Sequence, residues 1–371
     1  MSEPLLLNHF DPTARWMRRG GRENDVVLSS RVRLARNLKR YNFPHLSGAA
    51  DLISIRDRAL LALEKSAHGA NSDLLIVPFE EFTSWERQSL IDRHLTSPGH
   101  IKEELGRAVC ATLDGALSVL INEEDHLRVQ TLLPGLQFDA AYALADKMDD
   151  ALENYFDERG GLAFDSQFGF LTACPTNAGT GLRVSAMLHL PALEIVEKLE
   201  TVRRWTSGRG LTLRGTFGEG SKVWGHLHQL SNQNTLGLDE TEILLEMDAA
   251  TRDISEQERA ARESLPAQFP LEARDLIGRA FGTLRYARTL SCREATEALS
   301  LLRLGHEIGW MKGISRQKFN ELMVWIRPAY LQVAAGKVVA GNERDALRAT
   351  LLRPIIARVK LESGFEDTPA S

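Results

Sequence analysis

The stretch "GLRVSAMLHLP", residues 181–191, alternates strictly: Leu182, Val184, Ala186, Leu188 and Leu190 fall on one side of an extended chain, and Arg183, Ser185, Met187 and His189 on the other. That period of two predicts a strand with one face laid on a core and the other free to front a cleft. Gly181 and Pro191 bound the run, as turn-forming residues bound strands. Four further segments have the same character: "DGALSVLINEEDHLRVQTLLPG", "GFLTAC", "GLTLRGTFGEG" and "KVWGHLHQLSNQ", each rich in Val, Leu, Thr or aromatics and closed by Gly, Pro or Asn.

Between the strands, "FDAAYALADKMDDALENYFDE" repeats apolar residues at three-and-four spacing, as a helix covering the back of a sheet does. "PALEIVEKLETVRRWTSG" reads as a second helix, with Pro191 suited to its first turn and Gly208 to its stop. Strands and helices alternate without a regular βαβ period, which predicts an α+β fold with a largely antiparallel sheet flanked by helices. After "NTLGLDE" the pattern turns helical: residues 240–265 form one long amphipathic run, Ser291 and Glu294 suit a capping box, and Ser315 and Asn342 suit the caps of two more helices. The expected division is residues 1–245 and an all-helical C-terminal domain, residues 246–371.

With 43% hydrophobic and 26% charged residues in 371, the chain can bury a large core. A net charge of −5 leaves no basic excess for a nucleic-acid backbone or an anionic membrane, so neither is an expected partner. The N-terminal "MSEPLLLNHF" is too short in apolar residues for a signal segment, and no stretch approaches a membrane span; cytoplasm is the expected compartment. Cys110, Cys174 and Cys292 are odd in number and lack CxxC spacing, which argues for reduced thiols and against a zinc site. His226 and His228 share one strand face, but no third ligand is evident and packing is the expected role.

The chemistry-bearing residues cluster on the predicted strands. "SSRVRLARN" sends Arg31 and Arg33 from one face, and Arg128, Arg183 and Arg214 follow on other strands. Singly, each has the ordinary role of a surface ion pair. Together, five guanidinium forks suit a polyanion such as a nucleoside triphosphate, held without the lysine-bearing glycine loop of Walker A proteins. Glu123, Glu124 and Asp125 follow a strand directly, a costly place for unpaired carboxylates, and Glu219 lies in "FGEG". Cys174 stands before the Gly179–Gly181 turn; burial in a strand is a cysteine's usual role, whereas here nearby amides and Arg183 could hold a thiolate that, with the carboxylates, cradles a cation.

The segments "SSRVRLARN", "INEEDHLRVQ", "CPTNAGTGLR" and "RGTFGEGS...QLSNQNTLG", in this order, resemble the signatures of the ATP:guanido phosphotransferases, the phosphagen kinases. Within that family the chain is most similar to the bacterial branch that acts on arginine side chains of proteins. The resemblance implies an ATP site comprising Ser29, Ser30, Arg31, Val32 and Arg33, then Arg128, Arg183, Val184, Ser185, Ala186 and Met187, with Arg214, Gly215, Thr216, Phe217, Gly218 and Glu219. It places His94 near the adenine, Glu124 as catalytic base, Glu219 as second guanidinium-binding carboxylate and Cys174 as active-site thiol. It also implies Mg²⁺ with the ATP, and an allosteric phosphoarginine pocket at "RDALRA", with Arg344, Asp345 and Arg348; ordinary helix-start chemistry would account for those residues equally. Lys222 and His226 depart from the family pattern, which carries an acidic residue and an asparagine there.

The implied partners are protein substrates with exposed arginines, a zinc-containing activator protein and Clp-type protease machinery in a stress response, with room for a homodimer. Creatine and arginine kinases carry an extra helical domain before the first arginine motif. None is expected before Arg31, which favours a protein substrate over a small guanidino metabolite. Two alternatives of another class are a cysteine-dependent guanidine hydrolase, which leaves five arginines unexplained, and a non-catalytic phosphoarginine-binding adaptor.

Overall fold

The computed structural model describes residues 10–366 except 12, 19, 71–73 and 216–222. The strands are β1 (Val27–Arg36), β2 (Leu74–Pro78), β3 (Ala108–Thr112), β4 (Leu117–Ile121), β5 (Leu127–Pro134), β6 (Phe164–Asp165), β7 (Gly169–Phe170), β8 (Leu182–His189), β9 (Leu211–Gly215), β10 (Leu227–Asn232), β11 (Met311–Lys312) and β12 (Lys360–Leu361). The helices are α1 (Ala49–Ala70), α2 (Ser84–Asp92), α3 (Phe138–Asp157), α4 (Pro191–Ile195), α5 (Leu199–Ser207), α6 (Glu240–Gln268), α7 (Pro270–Tyr286), α8 (Cys292–Glu307), α9 (Arg316–Trp325), α10 (Pro328–Ala335), α11 (Gly341–Ile356) and α12 (Ser363–Glu366).

Among the described residues, eight strands join in one sheet of order β2-β3-β4-β5-β1-β8-β10-β9, every pair antiparallel. β1 lies near the middle, bonded to β5 on one side and β8 on the other. Its alternation separates Val32 and Leu34, both in the core, from Arg31 and Arg33 on the opposite face. α3 covers the core face at β1 and β5, while α6 packs on β8 and β10. The same hydrophobic core continues through Met247 and Ile254 of α6 into Leu299 and Leu302 of α8, so sheet and C-terminal helices share one interior.

Four sequence expectations need correction. "PALEIVEKLETVRRWTSG" is two helices, because α4 ends at Ile195 and Glu197 takes a left-handed φ of 56° before α5 begins. Buried Glu258 of α6 accepts the amides of Ala192 and Leu193, tying α4 to α6, while α5 packs on β9. The run from Ser315 also breaks: α9 and α10 meet at an elbow where Pro328 forces Arg327 to an extended ψ of 147°. Third, the last of these helices starts at Gly341 with Ala340 as cap, so Asn342 lies inside its first turn. "GFLTAC" is strand only at Gly169–Phe170; beyond it the Ala173 amide bonds the Asp125 carboxylate instead of a neighbouring strand. Ser291 and Ser315 do cap α8 and α9, accepting from the amides of Glu294 and Lys318. No helix among the described residues is long and apolar enough to cross a membrane.

Three buried histidines put a pH dependence into this core. Burial pulls His100 down to about 3, His126 down to about 4, and His189 well below the ordinary imidazole range. The unfolded chain takes up these protons near pH 6.5 and the folded chain does not. Each ring therefore withdraws stability as pH falls below about 6.5, at up to about 1.4 kcal/mol per pH unit, until its own folded pKa is reached. The urea midpoint is expected to fall steadily between pH 6.5 and 4.5; a level midpoint would contradict three neutral buried rings.

Candidate active site

The polar face of the sheet opens into two adjoining cavities. One, of about 500 Å³, is lined among others by Trp16, Ser29, Arg31, His94, Gln130, Met187, Arg214 and Gln229. The second, of about 480 Å³, is lined by Glu123, Glu124, Cys174, Thr176, Asn177 and Arg183. Arg33 and Arg128 belong to both and form the partition.

Strand register gathers the arginines. Arg33 of β1 sits directly opposite Arg183 of β8, and Arg214 of β9 sits opposite Gln229 of β10. Arg31 donates to Ser185 Oγ at 3.2 Å and to Gln229 Oε1 at 2.9 Å. Burial, with repulsion from Arg128 and Arg183, pulls Arg31 down to about 10 and drives Arg33 well below the usual guanidinium range, Arg31 adding to the repulsion there. Burial and nearby Arg214 lower Arg183 as well. The Arg33 Nε is buried with no hydrogen-bond partner among the described residues. Such a crowd of concentrated positive charge calls for an anion.

The carboxylate side hangs on the β4–β5 turn. Arg128 is clamped by Glu123 at 2.7 Å and Glu124 at 2.9 Å. Glu123 also accepts from Ser97 Oγ at 2.6 Å. Burial raises the Glu123 carboxyl, but Arg128, Ser97 and the Glu124 amide outweigh it and hold it below the usual range. Asp125 is fully buried, and its Oδ1 accepts from Asn37 Nδ2 and from the Ala173 amide, both at 2.7 Å. It thus fixes the carboxylate turn to the end of β1 and to the loop that carries Cys174. The Cys174 sulfur lies 3.0 Å from Thr176 Oγ1 at the start of a 3-10 turn, Pro175–Asn177. Gly181 closes that loop with φ 68°, and a Cβ there would stand 2.5 Å from Arg36 Nη1. Only glycine fits so close an approach.

His94 has a left-handed φ of 62° and meets Trp16 edge-on at 5.3 Å. Burial, Arg31 and Arg327 press its ring down to about 3, so it is neutral at working pH.

Not every sequence-predicted residue reaches the cavities. Val32, Val184 and Ala186 lie in the core by strand alternation, and Ser30 instead bonds the Gly135 carbonyl and the Gln137 amide. Thr216, Phe217, Gly218, Glu219 and Lys222 lie outside the described residues. His226 packs on Ser300 of α8 at 2.8 Å, and His228 lies 3.5 Å from Glu194. On α11, Arg348 is 1% exposed, whereas Arg344 and Asp345 are half-buried. Residues missed in the sequence include Trp16, Glu123 as a clamp, Asp125 as a brace, Gln130 and Gln229. The in-face spacing of Gln130 from Arg128 and of Gln229 from Ser231 was the available signal. Among the described residues no three His, Cys, Asp or Glu side chains converge as a metal site.

Residues 55–261 match the ATP:guanido phosphotransferase C-terminal catalytic domain, and residues 270–366 match the protein-arginine kinase McsB C-terminal domain. The chain belongs to the ATP:guanido phosphotransferase family. Within it, the chain is 43% identical over 352 residues to the protein-arginine kinase of Moorella thermoacetica, covering 94% of this chain and 99% of that one. It is 38% identical to that of Geobacillus kaustophilus over 94% of each. Among solved structures, lombricine kinase superposes with a TM-score of 0.57 at 21% identity, over 71% of this chain and 73% of that one. The duplicated taurocyamine kinase from Schistosoma mansoni gives 0.54 at 22%, over 79% and 40%. Both show the same fold. The family expected from the four sequence segments is the family found.

Asp125→Ala removes two buried bonds to a carboxylate. It is expected to cost about 2–4 kcal/mol in urea unfolding and to lower turnover more than ATP affinity, because the Cys174 loop loses its brace. Unchanged stability would show that the loop is held otherwise.

Proposed function

We propose that this chain transfers the γ-phosphoryl group of ATP to the guanidinium of arginine side chains in proteins. One observation carries the reading: two cavities share Arg33 and Arg128 as a wall, with Arg31 and Arg214 lining one and Glu123, Glu124, Cys174 and Arg183 the other. A triphosphate in the first and a guanidinium in the second would meet at that wall, so placement and electrostatics supply most of the acceleration.

Arg31, Arg33, Arg128 and Arg214 hold the phosphates from the first cavity, and Arg183, paired opposite Arg33, meets the transferred phosphoryl group from the second. Mg²⁺ would accompany the nucleotide as its counter-ion and would add positive charge at the phosphates beside these arginines. A guanidinium is protonated at working pH and a poor nucleophile. As one of its nitrogens bonds the γ-phosphorus and the bond to the β-phosphate oxygen breaks, ADP leaves and Glu124 takes the nitrogen's proton. Cys174 lines the same cavity as Arg183 and the two carboxylates, and orients the acceptor. Glu219 is assigned the second carboxylate contact by family pattern alone.

On this reading the chain works in the cytoplasm as a homodimer, with a zinc-containing activator, in a stress response feeding Clp-type proteolysis, with a domain division at residue 245 and regulation through Arg344, Asp345 and Arg348.

Glu124→Gln is expected to lower phosphoarginine formation at least about 100-fold with ATP affinity nearly unchanged, and Arg183→Ala to weaken ATP binding. An active Glu124→Gln enzyme sinks the base assignment. Cys174→Ala is expected to keep measurable activity, which separates orientation from covalent catalysis. Labelled ATP offered with free arginine or with an unfolded protein decides the substrate class: label on the protein, read by mass spectrometry without acid, is the expected result.

A further inference from the structure

The first cavity is not walled by the sheet alone. Met323 and Val324 of α9, and Arg327 at the elbow between α9 and α10, complete it from the C-terminal half. Pro328 sets this elbow, and the Arg327 Nε donates to the Met323 carbonyl at 3.1 Å, which fixes the root of the side chain. Arg327 lines the same cavity as Trp16, Asp92 and His94, and its charge acts on both Asp92 and His94. Arg33 and Arg128 line it too and form the wall shared with the acceptor cavity. Five arginines already answer the charge of a triphosphate. A sixth cation beside a neutral histidine and an indole suits a purine instead, whose ring nitrogens accept hydrogen bonds and whose face accepts a cation.

Behind the elbow lies Arg348 of α11. Its Nε donates to the Ile326 carbonyl at 2.7 Å, and its Nη1 to the Leu290 carbonyl at 2.5 Å and to Asp345 Oδ1 at 2.6 Å. Ile326 immediately precedes Arg327, and Leu290 leads into α8, whose Cys292 sulfur lies 4.0 Å from Arg327 Nη1. One buried side chain therefore ties the elbow to the segment that opens α8.

We propose that Arg327 contacts the purine ring of ATP and that Arg348 is the residue that positions it, so that the C-terminal helices form part of the nucleotide site. This rests on the reading of the first cavity as the ATP site. The test uses the full chain with an unfolded protein as acceptor and either ATP or UTP as donor. Arg327→Ala is expected to raise KM for ATP about tenfold or more and KM for UTP much less, with KM for the protein unchanged. Arg327→Lys is expected to recover part of the loss. Arg348→Lys is expected to raise KM for ATP in the same direction while kcat at saturating ATP changes little; if that variant does not fold, the Arg327 pair decides alone. An unchanged KM for ATP in Arg327→Ala overturns the proposal, as does an equal rise for ATP and UTP, which would put Arg327 on the phosphates. A wild-type chain that labels no acceptor with ATP defeats the functional reading itself, a different result from a variant that behaves as wild type.

Discussion

Repulsion between guanidinium groups on one face of the sheet is the constraint that the rest of the structure answers. Arg33 and Arg183 face each other across the β1–β8 ladder, and like charges so placed destabilise a strand pair. What holds them is everything beneath: ladders on both sides of β1, and a core face whose Val32, Leu34 and Val184 are almost wholly buried. The unfavourable charge is thus tolerated by a frame that cannot relax around it. A site of this kind has its dipoles and charges set before the ligand comes, and the ligand relieves the repulsion rather than ordering the site.

The braces around the face follow the same logic. Asp125 binds the ends of three segments, the β4–β5 turn, the exit of β1 and the Cys174 loop, through two hydrogen bonds and its own place in the chain. At the end of β1, Arg36 pairs with Asp149 at 2.6 Å and stacks 3.6 Å over Phe170. The C-terminal helices are part of the frame as well, since Glu258 of α6 meets the amides that open α4. A change in the helical half therefore has a short mechanical route to the ends of the active-site strands.

Much of this was legible because β-strand alternation is a local property. The pattern from Leu182 to Leu190 named both faces of β8, and Arg31 and Arg33 emerged from β1 together as spacing required. What was not legible depended on distant partners. Glu123 reads as one of three acidic residues in a turn, and only the fold shows Arg128 and Ser97 around it. The α4–α5 break has no Gly or Pro to announce it, since α4 is held by Glu258 far along the chain. Pro328, by contrast, was an open signal for an elbow, and reading the run through it hid Arg327. The alternation also counts against contiguous motifs: in "SSRVR", every second side chain belongs to the core.

The clamp on Arg128 has a consequence for the order of events. Glu124 pairs with an arginine of the protein itself, a resident mimic of the acceptor. An incoming guanidinium competes with a tethered rival whose local concentration is fixed by the chain. A phosphate arriving at the shared wall offers Arg128 another anion and tips that contest.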